Sequence, residues 1–184
     1  MRNIIKFGAV AALAFGVVAP VSFDPSARAE AQRRGGNGGA AARAADLTFV
    51  ANAGAGDMYE IESSRLALQR SQRADVREFA QMMIDHHMRT TRDVSEAARR
   101  DGLSPPAPRL MPAQRTMVRQ LQNARGNAFD RMYLMQQSTA HQQALTLHRN
   151  RARTGRGALS QAASGAVPIV QQHITQLRTL SRGR

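Results

Sequence analysis

The residues of this chain that have metal-binding chemistry are three histidines and a glutamate spread over four predicted helices. They are Glu60, His87, His141 and His173, with Tyr133 as a hydrogen-bond donor nearby. Imidazoles and carboxylates that project inward from different helices are how metal sites are assembled in helical bundles. If a metal binds, we expect the glutamate and the three histidines to be its ligands and the tyrosine to support them.

Helical periodicity separates three adjacent residues of the second predicted helix. At about 100° per residue, His87 lies on the same side as the apolar Phe79 and Met83, so it is predicted to face the core. His86 falls on the flank of that side and Asp85 lies outside it. The three adjacent positions are therefore not expected to reach one ion.

Two other candidates occupy less apolar surroundings. Glu60 lies in a stripe of small residues with Ala53, Gly56 and Ser64, where another helix can approach closely. A carboxylate in such a place needs a partner or must shift its pKa. His141 is predicted at the edge of the apolar side of its helix.

The same residues are also compatible with a purely structural role. A buried histidine that donates to a facing glutamate, with a tyrosine closing the network, fixes helix register without any ligand. The Glu-x-x-His pattern that di-iron bundles use twice is absent from the chain, which argues against iron oxidation or iron storage. An inward Glu/His pair has the chemistry for proton transfer, but no substrate pocket is readable, so an enzyme is the least favoured interpretation.

The chain predicts five helices and no strand. Four are long and are joined by short turns, except for one longer connection after Gly102 that contains a proline-rich segment and a short amphipathic helix. Pro168 is expected to kink or restart the last helix. This pattern is typical of an all-α four-helix bundle with a short extra helix in the middle connection. The predicted helices span about 47–71, 74–100, 112–123, 126–153 and 158–181.

The composition restricts the core and the possible partners. Hydrophobic residues make up 42% of the 184 residues but aromatic residues only 4%, which suits packed helices better than a β-sandwich. The absence of Cys excludes disulfides, thiol chemistry and a lipid-attachment cysteine. The net charge of +13 favours anionic partners, but the arginines lack the aromatic neighbours of a nucleic-acid binder. A basic envelope protein that binds anionic lipid or polysaccharide, with a purely structural polar cluster, is thus the alternative function.

The beginning of the chain predicts export. Residues 1–29 have a charged start, an apolar run and an A-x-A cleavage pattern, which is the organisation of a secretory signal peptide. Residues 30–45 are rich in Gly, Ala and Arg and predict a flexible linker. Asp46 is a suitable helix N-cap, so the bundle domain is expected over 46–181. A periplasmic or outer-membrane-associated protein follows from these features.

Four separated segments carry the candidate residues and their apolar neighbours in a particular order. The segments are Phe49…Glu60-Ile61…Leu66-Ala67, Val76…Phe79-Ala80-Gln81…Met83…His87, Phe129-Asp130…Tyr133…His141 and Pro168…His173. In this order they resemble the bacterial exported family known as domain of unknown function 4142, DUF4142, over about Asp46 to Leu180. The resemblance implies a ferritin-like helical bundle behind a signal peptide, without an established activity. It also implies that the characteristic Glu, His, Tyr, His and His of the family fall on the five candidates named above.

Two positions depart from the pattern of that family. The family usually has Asp immediately before its first His, whereas this chain has His86 there and Asp85 one place earlier. An acidic residue is common before the His of the third long helix, where this chain has Ala140. Both departures remove carboxylates. Their loss favours an imidazole-rich metal site, or a hydrogen-bonded polar cluster that fixes helix register, over a site for a hard metal ion. Zn or Cu would suit such ligands and Fe would follow only by analogy with the fold, while a cluster without metal is an equal alternative.

Overall fold

The computed structural model describes residues 25–182, with the side chains of residues 39–182. Every element in this part of the chain is a helix and no strand occurs in it, which confirms the predicted all-α bundle with a short helix in the middle connection. The helices are α1 (Pro25–Arg70), α2 (Ala74–Arg100), α3 (Pro112–Asn123), α4 (Gly126–Thr154) and α5 (Gly157–Arg182). None of them combines the length and the apolar character that crossing a membrane requires. The chain divides into two units, Met1–Asn37 and Gly38–Arg184, and the second contains the bundle.

α1 begins earlier than the sequence pattern predicts. Residues 30–45, expected to be a flexible linker, lie within this helix. Ala and Arg have high helix propensities, which here outweigh the effect of the interspersed glycines. The side chains from Gly39 to Ala45 are exposed and add nothing to the core. The signal peptide expected over 1–29 lies largely outside the described residues, and its cleavage stays a prediction.

Turn residues visible in the sequence define the end of α2 and the start of α5. Gly102 has φ +72° directly after α2, and Leu103 N–H donates back to the last turn of that helix over 2.9 Å, as expected of a glycine cap. The carboxylate of Asp101 accepts the N–H groups of Ala158 and Leu159 at 2.8 Å each. These are free donors at the start of α5, so one carboxylate ties two helix ends together.

Each long helix contacts two neighbours around one core. α5 packs against both α2 and α4, and it continues through Pro168 rather than restarting there. α1 contacts α2 through the Asp57–His87 hydrogen bond and α4 through the Ser64–Tyr133 hydrogen bond. The positions of these two contacts show that the middle of the core is polar.

The core of the bundle has three levels along its length. The first level, called the Phe129 end, contains Ala67, Val76, Phe79, Ala80, Met83, Leu121, Phe129, Tyr133, Leu134 and Leu177. The opposite level, called the Phe49 end, contains Phe49, Val50, Ala53, Val94, Ala97, Ala98, Leu103, Leu159 and Ala163. Between them lies the polar layer, with buried Asp57, Glu60, Ser63, Ser64, His87, Gln137, His141 and His173.

Candidate metal centre

Three histidines from three helices converge in the polar layer. His87 of α2, His141 of α4 and His173 of α5 each offer a ring nitrogen, and the three nitrogens lie within 4.8 Å of one another. His141 and His173 are fully buried, and only 5% of His87 is exposed. Nε2 of His141 lies 3.2 Å from Nδ1 of His173. Two nitrogens on one tetrahedral ion, each about 2.0 Å from it, are separated by about the same distance.

A carboxylate holds the outer ring nitrogen of His87. Nδ1–H of this histidine donates to Oδ1 of Asp57 over 2.7 Å, and the hydroxyl of Thr91 donates to Oδ2 over 2.9 Å. Burial alone would lower the pKa of His87, but the hydrogen bond and charge of Asp57 outweigh burial and raise that pKa. Nε2 of His87 is buried and has no hydrogen-bond partner among the described residues. Metal-ligating histidines are typically held in this way, with one nitrogen on a carboxylate and the other free.

A main-chain carbonyl holds the outer nitrogen of His141. Its Nδ1–H donates to the carbonyl of Gln137, one turn earlier on α4, over 2.8 Å. Burial, reinforced by the positive charge of His87, lowers the pKa of His141 to about 3. His141 is therefore neutral at pH 7, and the lone pair of its Nε2 faces the other two histidines.

A fourth imidazole holds the outer nitrogen of His173. Because neutral His141 has its proton on Nδ1, the contact at 3.2 Å requires Nδ1–H of His173 to donate to Nε2 of His141. Nε2 of His173 then accepts the Nδ1–H of His86 over 2.8 Å. Burial first, and the charge of His87 second, lower the pKa of His173 to about 2. Each of the three converging imidazoles therefore has one nitrogen held by the protein.

Glu60 lies beside this three-histidine cluster and not within it. Its Oε1 is 3.5 Å from Nδ1 of His141, which already donates to Gln137, and its Oε2 has no partner among the described residues. Burial raises the pKa of Glu60 to about 8, against the opposing charge of His87. A protonated Glu60 next to a neutral His141 is not an ion pair. The carboxylate that pairs with a histidine is thus Asp57 and not the glutamate suggested by the sequence pattern.

Tyr133 lies in the Phe129 end, away from the ring nitrogens of the histidines. Its hydroxyl shares a hydrogen bond of 2.9 Å with Ser64, and its ring stacks on Phe129. The ring of Phe79 lies edge-on to both Tyr133 and His173, with centroid distances of 6.4 Å in each case. The structure therefore brings His87, His141 and His173 together and leaves Tyr133 in the Phe129 end, where Phe79 contacts both Tyr133 and His173.

Two residues of the site do not emerge from the sequence pattern as candidates. Asp57 lies one turn before Glu60 on α1, so the helical spacing that selects Glu60 is a signal that could have selected Asp57 as well. His86 is half-buried, in agreement with its predicted place on the flank of α2. That flank faces α5, so His86 reaches His173, and no local signal indicates which helix packs there. His141, predicted at the edge, is fully buried.

A cavity of about 310 Å³ adjoins the three-histidine cluster. His87 and His173 form part of its wall, together with Asp57 and Glu60. Much of the remaining wall consists of small residues, which are Ala53, Gly56, Ala140, Ala144 and Ala166. The cluster is therefore enclosed by the polar layer on one side and open to a chamber on the other.

Solved structures of the protein CopM share this fold. CopM in the Cu(II)-bound, Ag-bound and Cu(I)-bound forms matches the chain with TM-scores of 0.62, 0.59 and 0.61, at 19%, 19% and 18% sequence identity. Each match covers 74% of this chain and 95% of the CopM chain. At this level of identity the similarity shows the fold alone. No curated protein matches the chain by sequence.

The sequence pattern of a known family covers most of the chain. The domain of unknown function DUF4142 matches residues 31–180, which include the polar layer and both apolar ends of the bundle. The family resemblance of the four separated segments is thereby confirmed. This chain belongs to the DUF4142 family.

Proposed function

We propose that this protein binds a copper ion at the three-histidine cluster. The ligand atoms would be Nε2 of His87, Nε2 of His141 and Nδ1 of His173. One observation carries the proposal: three ring nitrogens converge within 4.8 Å, and each ring is held from its other side by a protein group. A polar layer with a purely structural role would satisfy its buried groups, yet Nε2 of His87 has no partner among the described residues.

The donor set favours copper over other metals. Imidazole nitrogens suit Cu, Zn and Fe, whereas Mg and Ca prefer oxygen ligands. For a given set of nitrogen ligands Cu(II) binds more tightly than Zn(II) or Fe(II). CopM, which shares the fold, has been solved in Cu(II)-bound, Cu(I)-bound and Ag-bound forms, which supports the same class of metal here. Iron loses support because the chain lacks the Glu-x-x-His pairs of di-iron bundles.

The residues behind the ligands set the protonation state that binding requires. The carbonyl of Gln137 keeps the proton of neutral His141 on Nδ1, so its Nε2 is free. Asp57 holds the Nδ1–H of His87, and the metal would displace the second proton, on Nε2, that His87 carries as a cation. His173 would instead carry its proton on Nε2 and donate it to Nδ1 of His86. Both of these imidazoles then change tautomer, and the pair releases no proton.

We further propose that the protein acts outside the cytoplasm. The support is the signal-peptide pattern of residues 1–29, with its charged start, apolar run and A-x-A site. Protein recovered from the cell envelope should begin near Glu30 when its N-terminus is sequenced. A chain that remains in the cytoplasm with Met1 intact would contradict export without affecting the metal proposal.

Copper binding can be tested on the purified protein by elemental analysis after loading with Cu, Zn and Fe and removal of excess metal. We expect one tightly bound copper per chain, with nitrogen hyperfine structure in the electron paramagnetic resonance spectrum of Cu(II). Replacement of His141 by Gln should weaken copper binding by more than about 100-fold, since even loss of an outer hydrogen-bond partner typically weakens metal binding 10–100-fold.

The chain offers a matched control for this experiment. His148 lies on α4 two turns after His141, is also buried, and packs edge-on against Phe49 at 5.7 Å. It lines the cavity next to the cluster but is not one of the three converging histidines. His148→Gln should therefore leave copper affinity unchanged. The proposal would be rejected in favour of a structural polar layer if no metal bound after any of the three loadings. Equal losses of copper affinity in His141→Gln and His148→Gln would have the same meaning. Tighter binding of Zn than of Cu would show that copper is not the metal of this site.

A further inference from the structure

We propose that the 310 Å³ cavity is the route by which copper reaches the three-histidine cluster from the protein surface. The inference rests on the proposed function and adds the direction of access to it. His87, His148 and His173 line the cavity, whereas His141 does not. The cavity therefore reaches the cluster at His87 and His173, through a wall to which α1, α4 and α5 contribute most of the residues. Three other cavities of the bundle contain no histidine in their walls.

The cavity connects the cluster with solvent. Asn52 of α1 and Gln143 of α4 line it and are exposed, while His173 at its inner part is fully buried. Its volume of about 310 Å³ is far larger than the roughly 30 Å³ that one water molecule occupies in the liquid. The cavity therefore has room for a metal ion with water molecules still bound to it.

The inner wall offers donor atoms that the fold leaves unused. Oε2 of Glu60, Nε2 of His87 and Nδ1 of His148 have no hydrogen-bond partner among the described residues. Glu60 is 2% exposed and His87 is 5% exposed, and both line the cavity. Unpartnered polar atoms at this depth are unfavourable unless a ligand or water satisfies them. An ion that moves inward along the cavity therefore reaches the carboxyl group of Glu60 and the imidazole of His87 at its inner wall.

Gly56 provides a way to close the route without disturbing the ligands. It lines the cavity from α1, and a Cβ atom built on it meets no other atom within 4 Å. The Cβ atom introduced by Gly56→Leu therefore meets no neighbour, and the rest of the side chain is expected to extend into the cavity that Gly56 lines. Leu also has a higher helix propensity than Gly, so the variant should fold.

The expected result is slow uptake with retained affinity. Copper uptake by Gly56→Leu should be slowed at least about tenfold, as expected when access rather than ligand chemistry is changed. The dissociation constant should stay within about threefold of the wild-type value, because no ligand or ligand partner is altered. The probe is copper(II) sulfate mixed rapidly with protein, followed by quenching of tyrosine fluorescence. The chain has two Tyr and no Trp, so this signal comes from the tyrosines alone.

Gly165 supplies the matched control. It is also a helical glycine whose Cβ would meet nothing within 4 Å, but it is exposed on α5 and does not line the cavity. Gly165→Leu should take up copper at the wild-type rate. Ala144→Leu narrows the same cavity from α4 and should be slow, which guards against a folding defect of one variant.

The possible outcomes distinguish a failure of the proposed access route from a failure of the proposed copper site. Equal uptake rates in Gly56→Leu and Gly165→Leu, with normal copper content in both, would overturn the route and leave the copper site intact. A large loss of affinity in Gly56→Leu without a change in rate would also overturn it, because the cavity would then be part of the binding site. Absence of copper from the wild-type protein at equilibrium would reject the site and the route together.

Discussion

The Phe129 end and the polar layer lie next to each other in the same bundle and obey different physical rules. At the Phe129 end, fully buried Phe129, Met83 and Leu121 fill the space between helices, and burial of such side chains contributes about 1.5–3 kcal/mol each. In the polar layer, Oε2 of Glu60 and Nε2 of His87 are buried without a partner among the described residues. The apolar ends of the core therefore stabilise the fold. The polar layer between them lowers that stability, because it holds unpartnered polar groups in fixed positions.

The polar layer also keeps most of its ionisable groups neutral. Burial lowers the pKa values of His141 and His173 and raises that of Glu60, so all three favour their uncharged forms near pH 7. His87 is the exception, because Asp57 raises its pKa. One hydrogen-bonded pair of opposite charges next to neutral imidazoles leaves nitrogen lone pairs available for a cation, which a layer of fully charged histidines would not do.

The largest expected effect is on the stability of the Phe129 end. Phe129→Ala removes a fully buried ring that stacks on Tyr133, and should lower the free energy of unfolding by about 3–5 kcal/mol. Urea denaturation of the metal-free protein measures this loss. Met135→Ala, at a side chain that is 62% exposed, should change stability by less than about 0.5 kcal/mol. Copper affinity of folded Phe129→Ala should remain at the wild-type level, and a parallel loss of affinity would show that the two regions are not independent.

A gain in stability, smaller than the loss at the Phe129 end, is expected from a substitution in the polar layer. The folded pKa of Glu60, about 8, lies above its unfolded value, so between about pH 4.5 and 8 the folded state holds the proton more tightly and stability falls as pH rises. Glu60→Gln removes this effect and should stabilise the metal-free protein by about 1–3 kcal/mol at pH 8. The gain should disappear near pH 4.5. Glu78→Gln, at an exposed position of α2, is the control. A gain that is equal at both pH values would mean that Glu60 does not titrate as described.

The effect that is smallest per pH unit concerns the acid sensitivity of the histidines. The folded pKa values of His141 and His173 lie below the unfolded value near 6.5, so the unfolded state binds more protons below pH 6.5. Their contribution is fully present above pH 6.5 and is lost as pH falls. In metal-free His173→Gln, the loss of stability between pH 6.5 and 4.5 should be smaller than in wild type by about 1 kcal/mol per pH unit. Parallel pH profiles of variant and wild type would show that His173 is not buried in its neutral form.

Much of the helical framework follows from local signals. The start of α2 at Ala74, the glycine cap at Gly102 and the short α3 are all placed within a residue or two by apolar periodicity and turn residues. The early start of α1 is the main departure, since Gly-rich composition predicts a linker where the structure continues the helix. Helix formation depends on neighbours along the chain, so a single sequence contains most of the information for it.

The sequence by itself determined which face of each helix is buried, and with it that Glu60, His87 and His173 point inward. Only the tertiary structure decided which of these groups meet. Asp57 rather than Glu60 binds His87, His86 reaches His173 across from α2 to α5, and the hydroxyl of Tyr133 pairs with Ser64 rather than with a histidine. The reason is that periodicity is a property of one helix, whereas the rotation and register between helices are set by packing of the apolar ends. A shift of one turn, about 5.4 Å, would assemble a different set of side chains in the same layer.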